Sequence, residues 1–469
     1  MGKNYMEAIL LIDFGSTNTK VSAVDPVGKT LLGTAAAYTT VETDIGEGLA
    51  EALLLLQQDT GPLRFTKRFA CSSAAGGLRM IASGLVPALT AEAARLAALG
   101  AGAKIVGLYA YELTEEDILE IARIKPDIFL LTGGVDGGNK ACILHNANML
   151  ASLGAPGPFP VLIAGNRSAS AACAEALAGW NSIRCPNVLP KLGTLNIEPV
   201  QTEIRRLFLE RIIHARGLSR ERELISGILM PTPAAVKRGL ELLSAGAGGE
   251  TGLGELAAVD LGGATTDVYS VATGMPRGEV ILKGIPEPFS KRTVEGDIGM
   301  RYSAAGILEA VGVDKLAALS GLAPATIPAM VTQLTAHPEA LPVTAEDRSL
   351  DFALAAAAVE TAVERHAGTI EEVYTPMGPA LVQTGKDLTC VERLILTGGA
   401  VIHNREAKKI ARYALFTQRK AASLKPSEKA AIFIDKSYIL AAMGLLAETW
   451  PDVALSIMKE EIENHGTGE

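Results

Sequence analysis

One short pattern occurs twice in this chain. In each copy an apolar run ends in Asp, an apolar residue and Gly, and a turn that contains Thr leads into a second apolar run. The two copies are IDFGSTNTK at 12–20 and VDLGGATTD at 259–267. A near-repeat with this spacing indicates two related halves that face each other, each beginning with the same strand–turn–strand unit. We therefore expect a duplicated architecture.

Apolar runs and amphipathic stretches alternate along the rest of the chain, which is typical of an α/β protein. Residues 6–14 and 19–25 predict two strands, which should be antiparallel because too few residues separate them for a helical crossover. Residues 104–190 alternate strand-like and helical segments, with 187–190 as a weak fourth strand, and predict a small parallel sheet with helices on its faces. The Gly-rich stretch 244–255 is the predicted linker.

These segments predict three domain-sized regions and a tail. The first lobe covers 1–250 and contains the β/α run 104–190 as an inserted subdomain, and the second lobe covers 251–452. Residues 453–469 predict a charged, solvated C-terminal tail. A length of 469 residues agrees with about three domains.

Charge and cysteine content exclude several classes of protein. With 43 Lys and Arg against 52 Asp and Glu, the net charge is −9. This disfavours nucleic acid as a partner, because a phosphate backbone needs a cationic surface. Five cysteines without a C-x-x-C pair disfavour a disulfide framework or a zinc ribbon. The apolar runs are too short or too polar for a signal peptide or a membrane span, so we expect a cytoplasmic protein with no membrane partner.

The two repeated turns suit phosphate binding. Gly lets backbone N–H groups approach phosphate oxygens, and Ser and Thr hydroxyls add donors. Asp13 and Asp260 are the predicted magnesium-side residues, because Mg²⁺ takes one or two carboxylates and keeps several waters. Asp267 is a third candidate for the magnesium side, and Lys20 would neutralise phosphate charge. A carboxylate could also orient an attacking water, and the sequence leaves open which one. The predicted ligand-binding residues of the two turns are Gly15, Ser16, Thr17, Asn18, Thr19, Gly262, Gly263, Thr265 and Thr266.

Three other glycine-rich segments carry further predictions. In RLILTGGAVIHN (393–404) a strand should run into a turn and a helix, and Gly398 and Gly399 would let a nucleoside ring or ribose lie against the backbone. RTVEGDIGMR (292–301) predicts a loop, with Asp297 as its residue in the binding site. LTGG at 131–134 matches 396–399 in sequence but lies in the β/α run, where a tight turn and a binding role both remain open.

At these motifs the sequence resembles the actin, Hsp70 and sugar-kinase ATPase superfamily. DFGSTNTK is similar to its first phosphate loop, VDLGGATTD to its second and LILTGGA to its adenosine motif. MPTPAAVKRGL (230–240) and YILAAMGLL (438–446) resemble its two connecting helices, and EGDIG (295–299) resembles a Gly/Asp segment of the Hsp70 branch. Three further segments narrow the resemblance to the glutamate mutase MutL family over essentially the whole chain: SSAAGGLRM (72–80), DIFLLTGGVDGGN (127–139) and EPFSKRTVEGDIGMR (287–301).

The resemblance implies a two-lobed actin-like (ribonuclease H-like) ATPase fold with an inserted β/α subdomain in the first lobe. It implies ATP and Mg²⁺ as cofactors, and hydrolysis coupled to opening and closing of the lobes. The implied function is that of a reactivating chaperone for an adenosylcobalamin-dependent mutase, glutamate mutase in particular, from which it releases damaged cobalamin. The 104–190 insertion would then be the module that docks the mutase.

Three other functions are compatible with an ATPase of this superfamily. A small-molecule kinase needs a general base beside a substrate hydroxyl, and the low aromatic content of 4% disfavours a sugar site. An actin-like scaffold would assemble under nucleotide control, and the β/α insertion would obstruct a simple filament. An iron–sulfur ATPase that activates dehydratases is disfavoured, because no two cysteines are clustered to hold a cluster.

Overall fold

The computed structural model describes residues 6–15, 17–39, 45–73, 78–214, 227–376, 378–417 and 422–464. The chain divides into two compact units. The larger unit contains Met1–Ala74, Glu221–Ile281 and Phe289–Glu469, and the smaller unit contains Ala75–Arg220 and Leu282–Pro288.

The strands are short, and most of those near the predicted motifs are buried. In chain order they are β1 (Met6–Phe14), β2 (Asn18–Asp25), β3 (Thr30–Tyr38), β4 (Leu63–Ser72), β5 (Arg79–Gly84), β6 (Lys104–Ala110), β7 (Ile128–Leu131), β8 (Val161–Ile163), β9 (Ser182–Arg184), β10 (Ile228–Pro231), β11 (Gly246–Ala247), β12 (Glu250–Thr251), β13 (Leu256–Leu261), β14 (Thr266–Val271), β15 (Ile281–Lys283), β16 (Ser290–Glu295), β17 (Thr369–Thr375), β18 (Gly378–Thr384), β19 (Arg393–Thr397) and β20 (Ala431–Ile434).

Helices connect these strands, and two π-helical turns accompany them at Pro87–Ala91 and Glu460–Asn464. In chain order the α-helices are α1 (Ile45–Thr60), α2 (Glu92–Gly100), α3 (Glu115–Ile124), α4 (Ala141–Ala151), α5 (Ser170–Ala176), α6 (Glu198–His214), α7 (Thr232–Ala245), α8 (Ala304–Val311), α9 (Val313–Ser320), α10 (Ile327–Ala336), α11 (Ala345–His366), α12 (Gly399–Ile402), α13 (Ala407–Arg412), α14 (Leu440–Leu446) and α15 (Pro451–Lys459). Within the described part of the chain, no helix has both the length and the apolar character needed to cross a membrane.

The first sheet of the larger unit is built around β1, whose residues from Ala8 to Phe14 are buried on both faces. Its strand order is β10-β4-β1-β2-β3. β1 and β2 are antiparallel, as predicted, and so are β2 and β3. β4 runs parallel to β1, and β10 runs parallel to β4.

The second sheet of the larger unit repeats this arrangement. Its order is β16-β14-β13-β19-β20. β13, β14 and β16 are joined by antiparallel pairings, whereas β19 is parallel to β13 and β20 is parallel to β19. Counted along the chain, both sheets have the order third, second, first, fourth, fifth, with the same strand directions. This duplicated ribonuclease H-like order confirms the predicted actin-like fold.

Helices α7 and α14 cross each other at two glycines. Each helix follows the fifth strand of its sheet, and the two pack side by side. A Cβ atom on Gly444 would lie 1.8 Å from the carbonyl oxygen of Ala235, and one on Gly239 would lie 2.7 Å from that of Leu440. Glycine therefore lets the two backbones touch. The core around this crossing contains apolar side chains of both sheets.

The smaller unit contains one parallel sheet in the order β6-β5-β7-β8-β9. The prediction of alternating strands and helices over 104–190 is confirmed by β6 to β9 and by the helices between them. Two details differ. β5 lies between β6 and β7, so the sheet begins before residue 104. The fourth predicted strand is 182–184 rather than 187–190, where Asn187 bonds to loop groups instead of to a strand.

Three expectations for the larger unit need correction. The stretch 244–255 is not an open linker, because it ends α7 and then forms the β11–β12 hairpin. The loop predicted over 292–301 is a strand as far as Glu295, since Thr266 to Val271 of β14 supply ladder partners for β16. Residues 453–464 are not a solvated tail. They form most of α15 and a π-helical turn, with Ile457 and Ile462 buried, because apolar residues recur there at helical spacing.

Candidate functional site

The two repeated turns have the same local geometry. The N–H of Gly15 donates to the carbonyl oxygen of Asn18 at 3.1 Å, and the N–H of Gly262 donates to that of Thr265 at 3.0 Å. A Cβ on Gly15 would lie 2.5 Å from the Asn18 oxygen, and one on Gly262 would lie 2.8 Å from the Thr265 oxygen. Both positions therefore require glycine, and both turns follow an aspartate at the end of a central strand. Ser16 lies outside the described residues.

Asp13 is buried and held on one side only. Its Oδ1 accepts hydrogen bonds from Thr232 Oγ1 at 2.6 Å and from Cys71 Sγ at 3.4 Å. Its Oδ2 accepts no hydrogen bond from a described residue, while Lys20 Nζ lies 3.5 Å away. Lys20 is directly opposite Asp13 in the β1–β2 ladder. One carboxylate oxygen is thus fixed by the fold, and the other faces a single ammonium group.

Asp260 occupies the corresponding position in the second sheet and has a carboxylate opposite it instead of an ammonium group. It pairs with Asp267 across the β13–β14 ladder, and its Oδ1 accepts a hydrogen bond from Tyr438 Oη at 3.2 Å. Burial raises the pKa of Asp260 to about 6, and Asp267 and Asp13 add to the rise against the opposing effects of Lys20 and Tyr438. A cation at this position would therefore relieve an unfavourable negative charge.

We expect Asp260→Asn to stabilise the protein at pH 7.5, and we expect this gain to shrink as the pH falls to 5. The pKa of Asp260 is about 6 in the fold, against about 3.9 for an unfolded chain. The folded state therefore binds the proton more tightly, so stability falls as the pH rises from about 3.9 to about 6, and the loss is complete above pH 6. The amide removes this cost, so the gain at pH 7.5 should be about 1–2 kcal/mol, after discounting for partial exposure. Thermal unfolding at both pH values measures it, with exposed Asp59→Asn as the control. An equal gain at both pH values would contradict this assignment.

The two turns and the two aspartates lie close together. A Cβ on Gly263 would be 3.5 Å from Thr17 Oγ1, which places the second turn against the first. Lys20 Nζ lies 3.3 Å from the centroid of the Tyr438 ring, whose hydroxyl is bonded to Asp260. Residues predicted from both copies of the repeat are therefore brought to one place.

The predicted nucleoside turn has one packed glycine and one open glycine. Gly398 has a φ of +107°, and its Cβ would lie 2.3 Å from the carbonyl oxygen of Leu261 at the end of β13. Nothing lies within 4 Å of a Cβ on Gly399, which begins α12. Gly398 therefore lets the turn pack closely against the second sheet, and Gly399 leaves room for a ligand beside the backbone.

Two predicted hydroxyl donors serve the fold instead of facing a ligand. Thr19 is buried, and its Oγ1 lies 3.1 Å from that of Thr39. Thr266 is buried, and its Oγ1 donates to the carbonyl oxygen of Ile298 at 2.9 Å. Successive strand residues point to opposite faces of a sheet. Thr19 precedes Lys20 and Thr266 precedes Asp267, so each threonine points to the face of its sheet that is opposite the site.

Two predicted carboxylates are also engaged within the protein. Asp267 Oδ1 is bound by the buried guanidinium of Arg292, at 2.7 Å from its Nε. Asp297 has an exposed side chain that pairs with Arg365 at 3.0 Å. Asp267 stays beside Asp260 with its charge partly balanced, whereas the carboxylate of Asp297 is directed to Arg365.

Sequence reasoning missed two residues that contact the aspartates. Thr232 begins α7 and bonds to Asp13, and Tyr438 precedes α14 and bonds to Asp260. Each lies shortly after the fifth strand of its sheet. Aligning ILMPTP (228–233) with IFIDKS (432–437) as a second repeat would have pointed to this part of the chain.

The donors suit magnesium better than a metal that prefers a closed set of protein ligands. No group of three or more His, Cys, Asp or Glu side chains in the described ranges is placed to hold a metal ion. Mg²⁺ needs no such group, because it is usually bound by one or two carboxylates, waters and substrate phosphates. The Oδ2 of Asp13, which accepts no hydrogen bond from a described residue, and the carboxylate of Asp260, which lies near two others, fit that requirement.

Comparisons with known proteins match nearly the whole chain. The profile of the family described as "MutL protein" matches residues 9–462. Protein MutL of Clostridium tetanomorphum is 48% identical over 460 residues, which cover 97% of this chain and 99% of that protein.

Solved structures align over similar lengths at much lower similarity. The activator of 2-hydroxyisocaproyl-CoA dehydratase from Clostridium difficile, with bound ADPNP, is 10% identical with a TM-score of 0.34, and the alignment covers 97% of each chain. Xylulose kinase from Bifidobacterium adolescentis is 12% identical with a TM-score of 0.31, over 95% of this chain and 94% of that one.

Proposed function

Because this chain belongs to the MutL protein family, we propose that it is an ATP-binding and ATP-hydrolysing reactivating chaperone for an adenosylcobalamin-dependent mutase. The proposed partner is glutamate mutase, and the proposed work is the release of damaged cobalamin from it. The partner follows from the family resemblance. The nucleotide chemistry is supported by the site.

One observation carries the nucleotide proposal: two glycine turns with the same hydrogen-bond pattern, each following an aspartate, meet beside one lysine. Backbone N–H groups of such turns can approach phosphate oxygens, because glycine presents no side chain. Lys20 would neutralise phosphate charge as a point charge. Gly399 leaves the adenosine room to lie against the backbone.

The aspartates are proposed to hold the metal side of the site. Asp13 Oδ2 and Asp260 would bind a hydrated Mg²⁺, which when bound neutralises charge on the phosphates. Thr232 keeps Asp13 oriented through its 2.6 Å hydrogen bond. Asp267, fixed by Arg292, is the carboxylate proposed to orient the attacking water.

The conformational part of the proposal uses the two sheets as lobes. Each lobe supplies one turn and one aspartate, so binding between them favours closure, and loss of the terminal phosphate lets them open again. The inserted run 104–190 is the proposed docking module for the mutase. Because β5 lies inside the same sheet, a variant designed to remove this module must remove 79–84 as well.

The deciding experiment uses a mutase inactivated by a cobalamin that lacks the adenosyl group. We expect the full-length protein with ATP, Mg²⁺ and fresh adenosylcobalamin to restore mutase activity. A non-hydrolysable ATP analogue should not support repeated rounds of recovery. Absence of recovery, together with phosphorylation of a small metabolite, would replace the chaperone proposal with that of a kinase.

A further inference from the structure

Tyr438 binds two groups that the proposed function assigns to the nucleotide and its metal. The Lys20 ammonium lies 3.3 Å from the centroid of the Tyr438 ring, and the Tyr438 hydroxyl donates to Asp260 Oδ1 at 3.2 Å. A cation over an aromatic face is attracted by the ring quadrupole. Tyr438 thus connects Lys20, on β2 of the first sheet, to Asp260, on β13 of the second sheet.

The backbone of Tyr438 holds it in an unusual conformation. Its φ is +52°, in the left-handed region that a bulky residue rarely adopts. Its N–H donates to the carbonyl oxygen of Asp435, and the Asp435 carboxylate accepts the N–H groups of Ile439 and Leu440. The ring is therefore presented by a tightly bonded turn, and outliers of this kind occur where function requires them.

The surroundings keep the phenol protonated. Burial raises the pKa of Tyr438 well above its ordinary value, and the carboxylates of Asp260, Asp13 and Asp435 raise it further. The Tyr438 hydroxyl therefore remains a donor throughout the physiological range.

Tyr438 is also joined directly to the crossing helices. It lies two residues before α14, which crosses α7 at Gly239 and Gly444. The other end of this connection is Thr232, the first residue of α7, which donates to Asp13. A movement of Tyr438 would displace the start of α14. Because α14 contacts α7, it would also displace α7, whose first residue, Thr232, bonds to Asp13.

We propose that Tyr438 acts as a latch that holds Lys20 and Asp260 until Mg²⁺–ATP displaces it. This displacement of Tyr438 signals nucleotide binding to α14. The proposal rests on the proposed function, because it takes the ligand to be a magnesium-bound nucleotide. A phosphate anion attracts the Lys20 ammonium more strongly than an aromatic quadrupole does, which gives the displacement its direction.

The test measures nucleotide affinity, because a latch and the nucleotide compete. The apparent Kd of a ligand exceeds its intrinsic value by the inverse of the fraction of open protein. We expect Tyr438→Phe, which keeps the ring over Lys20 but loses the bond to Asp260, to bind Mg²⁺ with a non-hydrolysable ATP analogue about threefold more tightly. Tyr438→Leu, which loses both contacts, should bind it about tenfold more tightly. Tyr374→Leu is the matched control, since Tyr374 is 87% exposed on β17.

A second measurement separates the latch from a merely structural role. Amide hydrogen exchange over 440–446 should change in the wild type when the analogue binds. In Tyr438→Leu it should already be changed without the analogue. Affinity equal to or weaker than that of the wild type in both folded Tyr438 variants overturns the latch and leaves the ATPase proposal standing. Absence of binding by the wild type and by both variants overturns the two proposals together. The conservative Phe variant keeps the test valid if Leu prevents folding.

Discussion

Replacement of Asp13 or Asp260 by Ala is expected to abolish ATP turnover, with a loss of at least about 100-fold in each single variant. Each aspartate ends the central strand of one sheet, and each contributes a carboxylate to the place where the two turns meet. Removing either one leaves the proposed metal with half of its protein ligands and leaves phosphate charge unbalanced. Phosphate release with saturating Mg²⁺ and ATP measures the effect, with the protein alone and with the mutase present.

Controls for this prediction must separate chemistry from folding. Asp13→Asn keeps an oxygen that can accept the Thr232 hydrogen bond, so it should melt like the wild type while turnover is still lost. Asp260→Asn should melt at a higher temperature than the wild type at pH 7.5, for the reason given above, and should also lose turnover. Asp59→Ala, an exposed carboxylate on α1, should retain full turnover. Survival of turnover in both Asp13 and Asp260 variants would refute the site.

The local parts of this site could be predicted from the sequence because local pattern determines them. Asp, Gly and Thr at fixed spacing after an apolar run specify a strand, a tight turn and a second strand. The ladder then places Lys20 opposite Asp13 without any information from elsewhere in the chain. Repetition of the pattern identified the duplication, and the two sheets share one strand order.

Strand alternation decides which predicted side chains of the two turns face the site. Lys20 is opposite Asp13 and faces the site, so its neighbour Thr19, opposite Phe14, faces the interior. The same alternation places Thr266 opposite Leu261 in the second sheet, with its side chain in the interior. Period-two reasoning applied to each strand would have assigned both threonines to the fold.

The long-range contacts could not be predicted by local reasoning. Thr232 is 219 residues from Asp13, and Tyr438 is 178 residues from Asp260. Their positions depend on how the fifth strand of each sheet leads into its helix, which is a property of the sheet order. β5 was missed for a related reason: its six residues end in Ser and Gly, and only pairing with β6 and β7 on both sides shows it to be a central strand.

Gly444→Ala is expected to destabilise the protein by about 3 kcal/mol or more, or to prevent folding. The new methyl group would lie 1.8 Å from the carbonyl oxygen of Ala235 and 2.6 Å from its carbonyl carbon. These are backbone atoms of α7, so no side-chain rotation can relieve the clash, and the two helices must move apart. Apolar side chains of both sheets pack around this crossing, so the displacement would open the shared core.

Thermal unfolding at one fixed scan rate measures the effect, and the matched control is Gly399→Ala. Gly399 is the first residue of α12 and, like Gly444, has no positive φ, but nothing lies within 4 Å of its Cβ position, so that variant should melt close to the wild type. The comparison isolates steric contact from the general effect of replacing glycine, which by itself reduces the entropy of the unfolded chain and favours folding. A Gly444→Ala protein with wild-type stability would mean that α7 and α14 are not in backbone contact. The route from Tyr438 through α14 to α7 would then lose its physical basis, because that route requires the two helices to touch at this residue.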